Sequence, residues 1–358
     1  MRYNSAIVIN NRSIDICSQT YFVADIASNH NGDLKTAKQL IWLAKDSGAD
    51  AVKFQHFLAD KIVSDYGFKH LGAQSSHQAK WRKSVYETYK DAEFNRDWNE
   101  ILAEEAKKAD IDYFTSPYDF SAIESLDSIV PAYKIGSGDI TWLELIEFIA
   151  KRGKPVMIAT GASEMWEVEQ AVDTILKYNP NIILMQCNTN YTGVRENFKY
   201  INLNVLKSYA IRYPGMILGL SDHTPGHTTV LGAIALGARV IEKHFTANNN
   251  QMGPDHAFSM NPATWKEMVN RARELENALG TGVKIVEENE LETVVLQRRS
   301  LRMRDNYKEG TIIESSMLEE LRPAPRDAVL LYQKEKIIGK KLIVSKEKGD
   351  YLKLSDLE

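Results

Sequence analysis

Short apolar runs alternate with amphipathic segments from Tyr21 to about Leu279. The short runs are rich in β-branched residues, which is typical of buried strands, and the segments between them repeat their apolar positions with a helical period. Eight strand–helix units that close on themselves predict an α/β protein with a (β/α)8 TIM barrel of the usual size, about 250 residues. The predicted strands are Tyr21–Ala27, Ala51–Gln55, Asp112–Thr115, Ala132–Ile135, Pro155–Ala159, Ile182–Cys187, Met216–Leu220 and Val240–Phe245.

Two different patterns flank the predicted barrel. Residues 6–16 alternate around Asn10 and Asn11, which predicts an N-terminal β-hairpin that plugs the amino-terminal end of the barrel. After the last barrel helix, short β-type runs alternate with Pro- and Lys-rich turns, which predicts a small, mostly β C-terminal module. The predicted organisation is a hairpin at 1–20, a barrel at 21–282, an acidic linker at 283–297 and the small module at 298–358.

Composition narrows the class of ligand. The 358 residues carry 44 Lys and Arg against 48 Asp and Glu, a formal net charge of −4, which favours a small-molecule ligand over nucleic acid or an anionic membrane. No run approaches the length of a membrane span, and the first twenty residues lack the apolar core of a signal peptide, so we expect a cytoplasmic protein. The two cysteines, Cys17 and Cys187, support neither a disulfide framework nor a thiolate zinc site.

Two histidines, His223 and His244, each follow a predicted strand, the seventh and the eighth. The carboxyl ends of barrel strands share one face, so two neutral imidazoles there would make an open site for an oxygen-liking divalent metal ion. The alternative is that each imidazole forms a hydrogen bond with a neighbouring acid, Asp222 or Glu242.

Polar groups also end most of the other predicted strands. Lys53 and Lys134, with the hydroxyls nearby, suit a phosphate-bearing anion, although either lysine could instead pair with a carboxylate inside the barrel mouth. Asp25 and Asp139 are candidates for acid–base work or for binding substrate hydroxyls, and the alternative is that they cap turns. An enzyme barrel would use such a set at its active face.

Eight sequence blocks, in order and over nearly the whole chain, resemble those of the sialic acid synthase family, which includes legionaminic and pseudaminic acid synthases. Members of this family condense phosphoenolpyruvate with N-acetylmannosamine or a related amino sugar, and the C-terminal module resembles their antifreeze-like (SAF) domain. The blocks are Asn29–Gly32, Val52–Gln55, Phe114–Pro117, Tyr133–Gly138, Ser221–Thr224, Ile241–Thr246, Gly253–His256 and Leu321–Pro323.

The resemblance implies a role for each matching residue. His223 and His244 resemble the Mn²⁺ or Mg²⁺ ligands, and Asp25, Asp139 and Lys53 resemble catalytic groups. Arg322 resembles a sugar-binding arginine that the small domain inserts into the partner's barrel in a domain-swapped homodimer. The residues that resemble the phosphoenolpyruvate-binding set are Lys53, Thr115, Lys134, Ser137, Asn188, Thr189 and Ser221. Those that resemble further sugar-binding residues are Gln55, Tyr191 and Asp255.

The chain departs from the family pattern at positions that bear on acid–base geometry, on the sugar and on the phosphate pocket. Asp25 and Asp139 stand where the family usually has glutamate, and Ala159 replaces a serine hydroxyl of the fifth strand. An alternative function is a phosphoenolpyruvate-dependent synthase of keto-acid sugars that uses a phosphorylated sugar, although such barrels would not need the small β module. A second alternative, suggested by the changed carboxylates, is a non-catalytic sugar-binding relative.

Overall fold

The computed structural model describes residues 3–72, 78 and 81–358. The chain divides into two compact units, Met1–Gly280 and Thr281–Glu358. In the described residues no helix is long and apolar enough to cross a membrane.

The first unit opens with the predicted hairpin, in which β1 (Ala6–Ile9) pairs antiparallel with β2 (Arg12–Asp15). Asn10 adopts a positive φ of 49° in the connecting turn, a conformation that asparagine tolerates well. The inner face of the hairpin contributes Ile7, Ile9 and Ile14 to the barrel core. Its turn side chains contact the amino-terminal ends of barrel strands, because Asn10 donates to Asp112 and Arg12 pairs with Asp50.

Eight parallel strands close into a barrel, which confirms the predicted fold class. Around the barrel each strand neighbours the next along the chain, and the last pairs with the first. The strands are β3 (Tyr21–Asp25), β4 (Ala51–His56), β5 (Asp112–Pro117), β6 (Tyr133–Ile135), β7 (Val156–Ala159), β8 (Ile182–Cys187), β9 (Ile217–Asp222) and β10 (Ala238–His244).

Helices connect the strands and cover the barrel. Their starts follow local sequence signals: the Asp33 carboxylate accepts the N–H groups of Lys35 and Thr36 at the start of the first, and Asn261 caps the last before Pro262. They are α1 (Leu34–Asp46), α2 (Ala59–Ile62), α3 (Asp65–His70), α4 (Val85–Asp91), α5 (Asn99–Lys108), α6 (Phe120–Leu126), α7 (Leu143–Ala150), α8 (Met165–Leu176), α9 (Val205–Arg212), α10 (Thr228–Ala235) and α11 (Pro262–Leu279).

Strand register decides which side chains share the inside of the barrel. Asp25 on β3 pairs with both Lys53 on β4 and His244 on β10, and Glu242 pairs with Ser221 on β9. Residues that pair across parallel strands point to the same face, and the next residue along each strand points to the other. These five side chains therefore point toward one interior, near the carboxyl ends of the strands.

The second unit contains helix α12 (Leu291–Gln297), which lies in the segment expected to be a linker, and an antiparallel pair, β11 (Ser300–Met303) and β12 (Leu318–Leu321). Isolated bridges and short 3-10 helices complete it. It has its own core, formed by Leu301, Met303, Ile313, Leu318, Val329, Ile337, Leu342 and Leu352.

Candidate active site

Two buried ion pairs occupy the inside of the barrel. Nζ of Lys53 lies 2.8 Å from Oδ2 of Asp25, and Nζ of Lys134 lies 2.8 Å from Oε1 of Glu242, with all four side chains almost fully buried. The same Glu242 oxygen lies 3.8 Å from Nζ of Lys53. Burial alone would raise the pKa of Asp25, but Lys53, His244 and Gln55 together lower it to about 2. Asp25 and Lys53 are thus a charged pair.

Serine hydroxyls extend both pairs. Lys53 donates to Oγ of Ser116 at 3.1 Å, and Oγ of Ser221 lies 3.4 Å from both Nζ of Lys134 and Oε1 of Glu242. Of the lumen hydroxyls named here, Ser116 was not among the predicted site residues.

The structure places Thr115, one of the predicted phosphoenolpyruvate-binding residues, on the side of β5 that faces away from Lys53. Its hydroxyl donates to the Phe54 carbonyl at 3.0 Å and contacts Nδ1 of His56, so it is occupied on the outer face of the sheet. The register explains the difference, because Thr115 pairs with Phe54 whereas Ser116 pairs with Gln55, the residue on the Lys53 side of β4.

The loops after the middle strands meet closely around Gly161. Its N–H donates to Oγ of Ser137 at 2.9 Å. A Cβ at this position would lie 2.6 Å from Cγ2 of Thr189, 2.9 Å from Oγ of Ser137 and 3.2 Å from Sγ of Cys187. Only glycine allows this approach without displacement of a neighbour. Ser137 and Thr189, both predicted site residues, are thereby held side by side.

The two histidines lie together, with ring centroids 5.3 Å apart. Nδ1 of His223 lies 3.0 Å from the Asn188 carbonyl, and because a carbonyl only accepts, Nδ1 carries the proton and Nε2 keeps its lone pair. Nε2 of His244 lies 3.5 Å from Oδ2 of Asp25. Burial and the neighbouring His244 hold the pKa of His223 down at about 3, so this ring is neutral.

The histidine pair fits a metal ion on its donor chemistry. Nδ1 of His244 is buried with no hydrogen-bond partner among the described residues. The bond from His223 to a backbone carbonyl is the arrangement that orients a metal-binding imidazole. Within the described part of the chain, no group of three or more His, Cys, Asp or Glu side chains is placed to hold a metal ion. A metal ion here would therefore keep open positions for water or substrate.

A cavity of about 380 Å³ opens beside these groups. Six of the predicted site residues line it: Gln55, Ser137, Asp139, Tyr191, His244 and Asp255. Aromatic side chains form much of the remaining wall, and three of them come from the long excursion between β4 and β5: Phe57, Trp81 and Tyr89. The excursion is described only in part, since residues 73–77, 79 and 80 lie outside the described residues.

Two carboxylates, Asp139 and Asp255, border this cavity. Burial raises the pKa of Asp139 to about 6, so its carboxyl group exchanges protons near neutral pH. Asp255 accepts a hydrogen bond from the backbone N–H of Ser28 at 3.3 Å, which fixes its position on the wall. Gln55 donates to Oδ2 of Asp25 at 2.9 Å and links the wall to the charged lumen.

Two predicted residues have other surroundings. Asn188 provides the carbonyl that orients His223, and its side-chain amide donates to the Tyr200 carbonyl at 3.3 Å. Arg322 belongs to the second unit, where its side chain is exposed.

Sequence reasoning missed Ser116 and the aromatic wall. The strict alternation of inward residues along β4 and β5 is the signal that points to Ser116, once the register is known.

Comparison with known proteins places the chain in a family. The family model described as NeuB matches residues 40–284. The N,N'-diacetyllegionaminic acid synthase of Legionella pneumophila is 34% identical over 344 residues, which are 94% of this chain and 94% of that protein. The N-acetylneuraminate-9-phosphate synthase of Homo sapiens is 32% identical over 336 residues, 92% of this chain and 90% of that protein.

A crystal structure agrees with the sequence relatives. The N-acetylneuraminic acid synthetase from Leptospira borgpetersenii, crystallised with citrate, superposes with a TM-score of 0.70 at 28% identity, and the match covers 82% of this chain and 96% of that one. The chain belongs to the NeuB family and is an enzyme of its synthase class.

Proposed function

We propose that this enzyme condenses phosphoenolpyruvate with an unphosphorylated acetamido-hexose to give a nonulosonic acid and phosphate. The observation that carries the proposal is the convergence of Lys53 and Lys134, at one end of the barrel, with the His223–His244 pair and a cavity large enough for a sugar. In the reaction, C3 of phosphoenolpyruvate forms a bond to the sugar's aldehyde carbon, water adds to C2, and the bond from C2 to the phosphate oxygen breaks.

The lysines are the proposed anion-binding groups. An ammonium group has three N–H donors. Asp25 and Ser116 take two of those on Lys53, and Glu242 and Ser221 take two of those on Lys134, so each can offer one more to a phosphate or carboxylate oxygen. Ser137 and Thr189, held together at Gly161, are the proposed hydroxyl donors from the neighbouring loops.

His223 and His244 would hold the divalent ion, Mn²⁺ or Mg²⁺, that the family resemblance implies. When bound, that ion would polarise the aldehyde of the sugar. Asp25 would keep the His244 ring oriented, since its oxygen lies 3.5 Å from Nε2. Asp139, with its pKa near 6, would accept the proton of the water that adds to C2.

The cavity wall supports an acceptor without a phosphate group. Two of the described lining residues are carboxylates, Asp139 and Asp255, and none of them is Lys or Arg. Carboxylates accept hydrogen bonds from sugar hydroxyl and amide groups but repel a phosphate. Aromatic faces such as those of Phe57 and Tyr89 suit the apolar face of a sugar and its acetyl methyl groups.

Product analysis tests the proposal. The full chain is incubated with phosphoenolpyruvate, Mn²⁺ and one of three acceptors: N-acetylmannosamine, its 6-phosphate, or a diacetamido-trideoxyhexose. We expect phosphate release and a product whose mass equals acceptor plus phosphoenolpyruvate plus water minus phosphoric acid, with an unphosphorylated acceptor. Preference for the 6-phosphate would overturn the acceptor class. A failure to consume phosphoenolpyruvate with any acceptor, despite measurable sugar binding, would favour a non-catalytic relative.

Arg322 and the assembly form a separate part of the proposal. We propose that the second unit is an antifreeze-like domain and that Arg322 contributes to acceptor binding within a homodimer, as the family resemblance implies. Arg322→Ala should then raise KM for the sugar while KM for phosphoenolpyruvate stays unchanged, because the arginine would touch only the acceptor. Equal KM values for the sugar in both proteins would remove the arginine from the site.

A further inference from the structure

A third buried ion pair lies on the outer face of the barrel, directly behind the two histidines. Lys243 and Asp222 pair in register across β10 and β9, and their side chains are each about 1% exposed. Each immediately precedes a histidine, His244 and His223. Since neighbouring residues on a strand point to opposite faces, the ion pair and the imidazoles are on opposite sides of the same two strands.

The pair is the centre of a hydrogen-bond network. Nζ of Lys243 contacts Oδ2 of Asp222 and donates to the Thr224 carbonyl at 2.6 Å. Oδ2 of Asp222 also accepts the hydroxyls of Thr224 at 2.8 Å and Thr229 at 2.7 Å, and Oδ1 accepts the Thr224 N–H at 3.3 Å. All of these residues are buried.

The network restrains the backbone on both sides of His223. Asp222 and Thr224 flank this histidine, and both are tied to Lys243 on β10. Thr229, in the first turn of α10, ties the same atoms to the helix behind the strands. A shift of β9 along β10 would break several of these hydrogen bonds at once. It would also change the separation of the His223 and His244 rings.

Stability alone does not account for a pair of this kind. A buried ion pair loses the hydration of both charges, and replacing such a pair with apolar residues of similar volume is often neutral or stabilising. The charged groups form directional hydrogen bonds. Through these bonds the carboxylate and the ammonium group hold two strands, a turn and a helix in one arrangement. The groups they fix are the two proposed metal ligands.

We propose that Asp222 and Lys243 are positioning residues that set the spacing of His223 and His244 for metal binding. This inference rests on the metal site of the proposed function. It predicts that loss of the Asp222–Lys243 pair lowers metal affinity even in a variant that still folds.

The test measures Mn²⁺ binding to the apoprotein by the EPR signal of free Mn²⁺, together with thermal unfolding, and needs no substrate. For Asp222→Leu combined with Lys243→Met, we expect the dissociation constant to rise by about 10-fold or more, the range seen when partners behind metal ligands are lost. The unfolding midpoint should fall by less than about 4 °C. If that double variant does not fold, Thr229→Val, which removes a single hydroxyl from Asp222, should weaken binding by a smaller factor, above about threefold.

The matched control is Asp50→Asn at the opposite end of the barrel. Asp50 also links structural elements, accepting the Phe22 N–H at 2.8 Å and pairing with Arg12, so its loss should lower the unfolding midpoint without altering Mn²⁺ affinity. A folded Asp222/Lys243 double variant, or a folded Thr229→Val variant, that binds Mn²⁺ within twofold of the wild type would overturn the positioning role. A wild-type protein that binds no Mn²⁺ would overturn that role and the proposed metal site together, whereas the first outcome leaves the metal site intact.

Discussion

Oε1 of Glu242 lies 2.8 Å from Nζ of Lys134 and 3.8 Å from Nζ of Lys53, so one carboxylate oxygen serves both ammonium groups of the lumen. The other oxygen of Glu242 is buried and has no hydrogen-bond partner among the described residues. With Asp25 this arrangement balances two positive with two negative charges. An anion that binds the lysines must therefore share them with carboxylates already in place.

Replacement of Glu242 tests this balance. Glu242→Gln leaves Lys134 without its charged partner, so the free energy of unfolding should fall by about 3 kcal/mol in the absence of ligand. Inorganic phosphate should stabilise the variant more than the wild type, because the added anion takes the place of the lost charge. Urea unfolding with and without phosphate measures both effects.

The control for this variant is Glu147→Gln on α7, where an exposed carboxylate pairs with Lys151 one helical turn away. Exposed pairs contribute little to stability, so the unfolding free energy of this variant should stay close to that of the wild type, with no altered response to phosphate. Equal phosphate stabilisation of wild type and Glu242→Gln would contradict the idea that Glu242 and the anion compete for the same lysines.

Ser116 and Thr115 give opposite expectations although they are adjacent. Ser116→Ala removes a hydroxyl beside Lys53, and KM for phosphoenolpyruvate should rise about 10-fold, the value of one hydrogen bond to a charged group. Thr115→Val should leave that KM unchanged and lower the unfolding free energy by about 1 kcal/mol, since buried His56 loses a partner. Steady-state kinetics and urea unfolding distinguish them, and a larger KM effect at Thr115 would reverse the assignment.

Gly161 is predicted to admit no side chain. A Cβ there would overlap Cγ2 of Thr189 and Oγ of Ser137, so Gly161→Ala should cost about 1–3 kcal/mol of unfolding free energy. It should also raise KM for phosphoenolpyruvate by displacing Ser137. Gly138→Ala is the control for stability, because nothing lies within 4 Å of the Cβ it would add. Similar unfolding midpoints for the two alanine variants would show that the packing around Gly161 yields without cost.

The histidine pair predicts a metal requirement that chelation reveals. Removal of divalent ions should abolish phosphate release, and Mn²⁺ should restore it in the wild type but not in His223→Ala or His244→Ala. The reason is that each imidazole supplies one of only two side-chain nitrogens proposed to hold the ion. Circular dichroism checks that the variants fold. Near-normal turnover of either alanine variant in excess Mn²⁺ would remove the metal assignment.

The sequence predicted the barrel and most of the strand-end residues because apolar runs and helical periods are local signals. Lys53, Lys134, His223 and His244 each follow such a run or lie within it, and the closed parallel sheet brings their ends together. The local sequence does not show which of Thr115 and Ser116 points into the lumen. That depends on the register of β5 against β4, and a shift of one residue exchanges the inner and outer faces.

The sequence patterns also do not predict contacts between residues that are far apart in the chain. Lys134 was expected either to bind an anion or to pair with a carboxylate inside the barrel mouth. It pairs with such a carboxylate, but the sequence did not identify it as Glu242, which is 108 residues away along the chain. The cavity wall has the same origin, since Tyr89 and Trp81 come from the excursion between β4 and β5, whose described residues include no strand. Such pairings follow from barrel closure, which composition and periodicity do not specify.

Asp139 makes the enzyme's pH dependence predictable in sign. Burial raises its pKa from an ordinary value of 3.8 to about 6, so its carboxyl group is neutral below that pH and ionised above it. If it accepts a proton from water, turnover should rise with pH through about 6. Asp139→Asn should lose this limb of the profile and reduce turnover by about 100-fold, the usual contribution of a general base.

The same shift fixes the sign of its effect on stability. The folded protein holds the proton of Asp139 more tightly than the unfolded chain does, so this group's favourable contribution is complete below about pH 4 and is lost as pH rises through about 6. Asp139→Asn should therefore be more stable than the wild type at pH 8, but not at pH 3, and urea unfolding at both pH values measures this.

Asp139→Glu is the control for proton transfer. A longer carboxylate that still reaches the water keeps the rise of turnover with pH, which asparagine cannot. A wild-type profile that is flat between pH 5 and 7 would show that Asp139 does not transfer the proton, whatever its effect on stability.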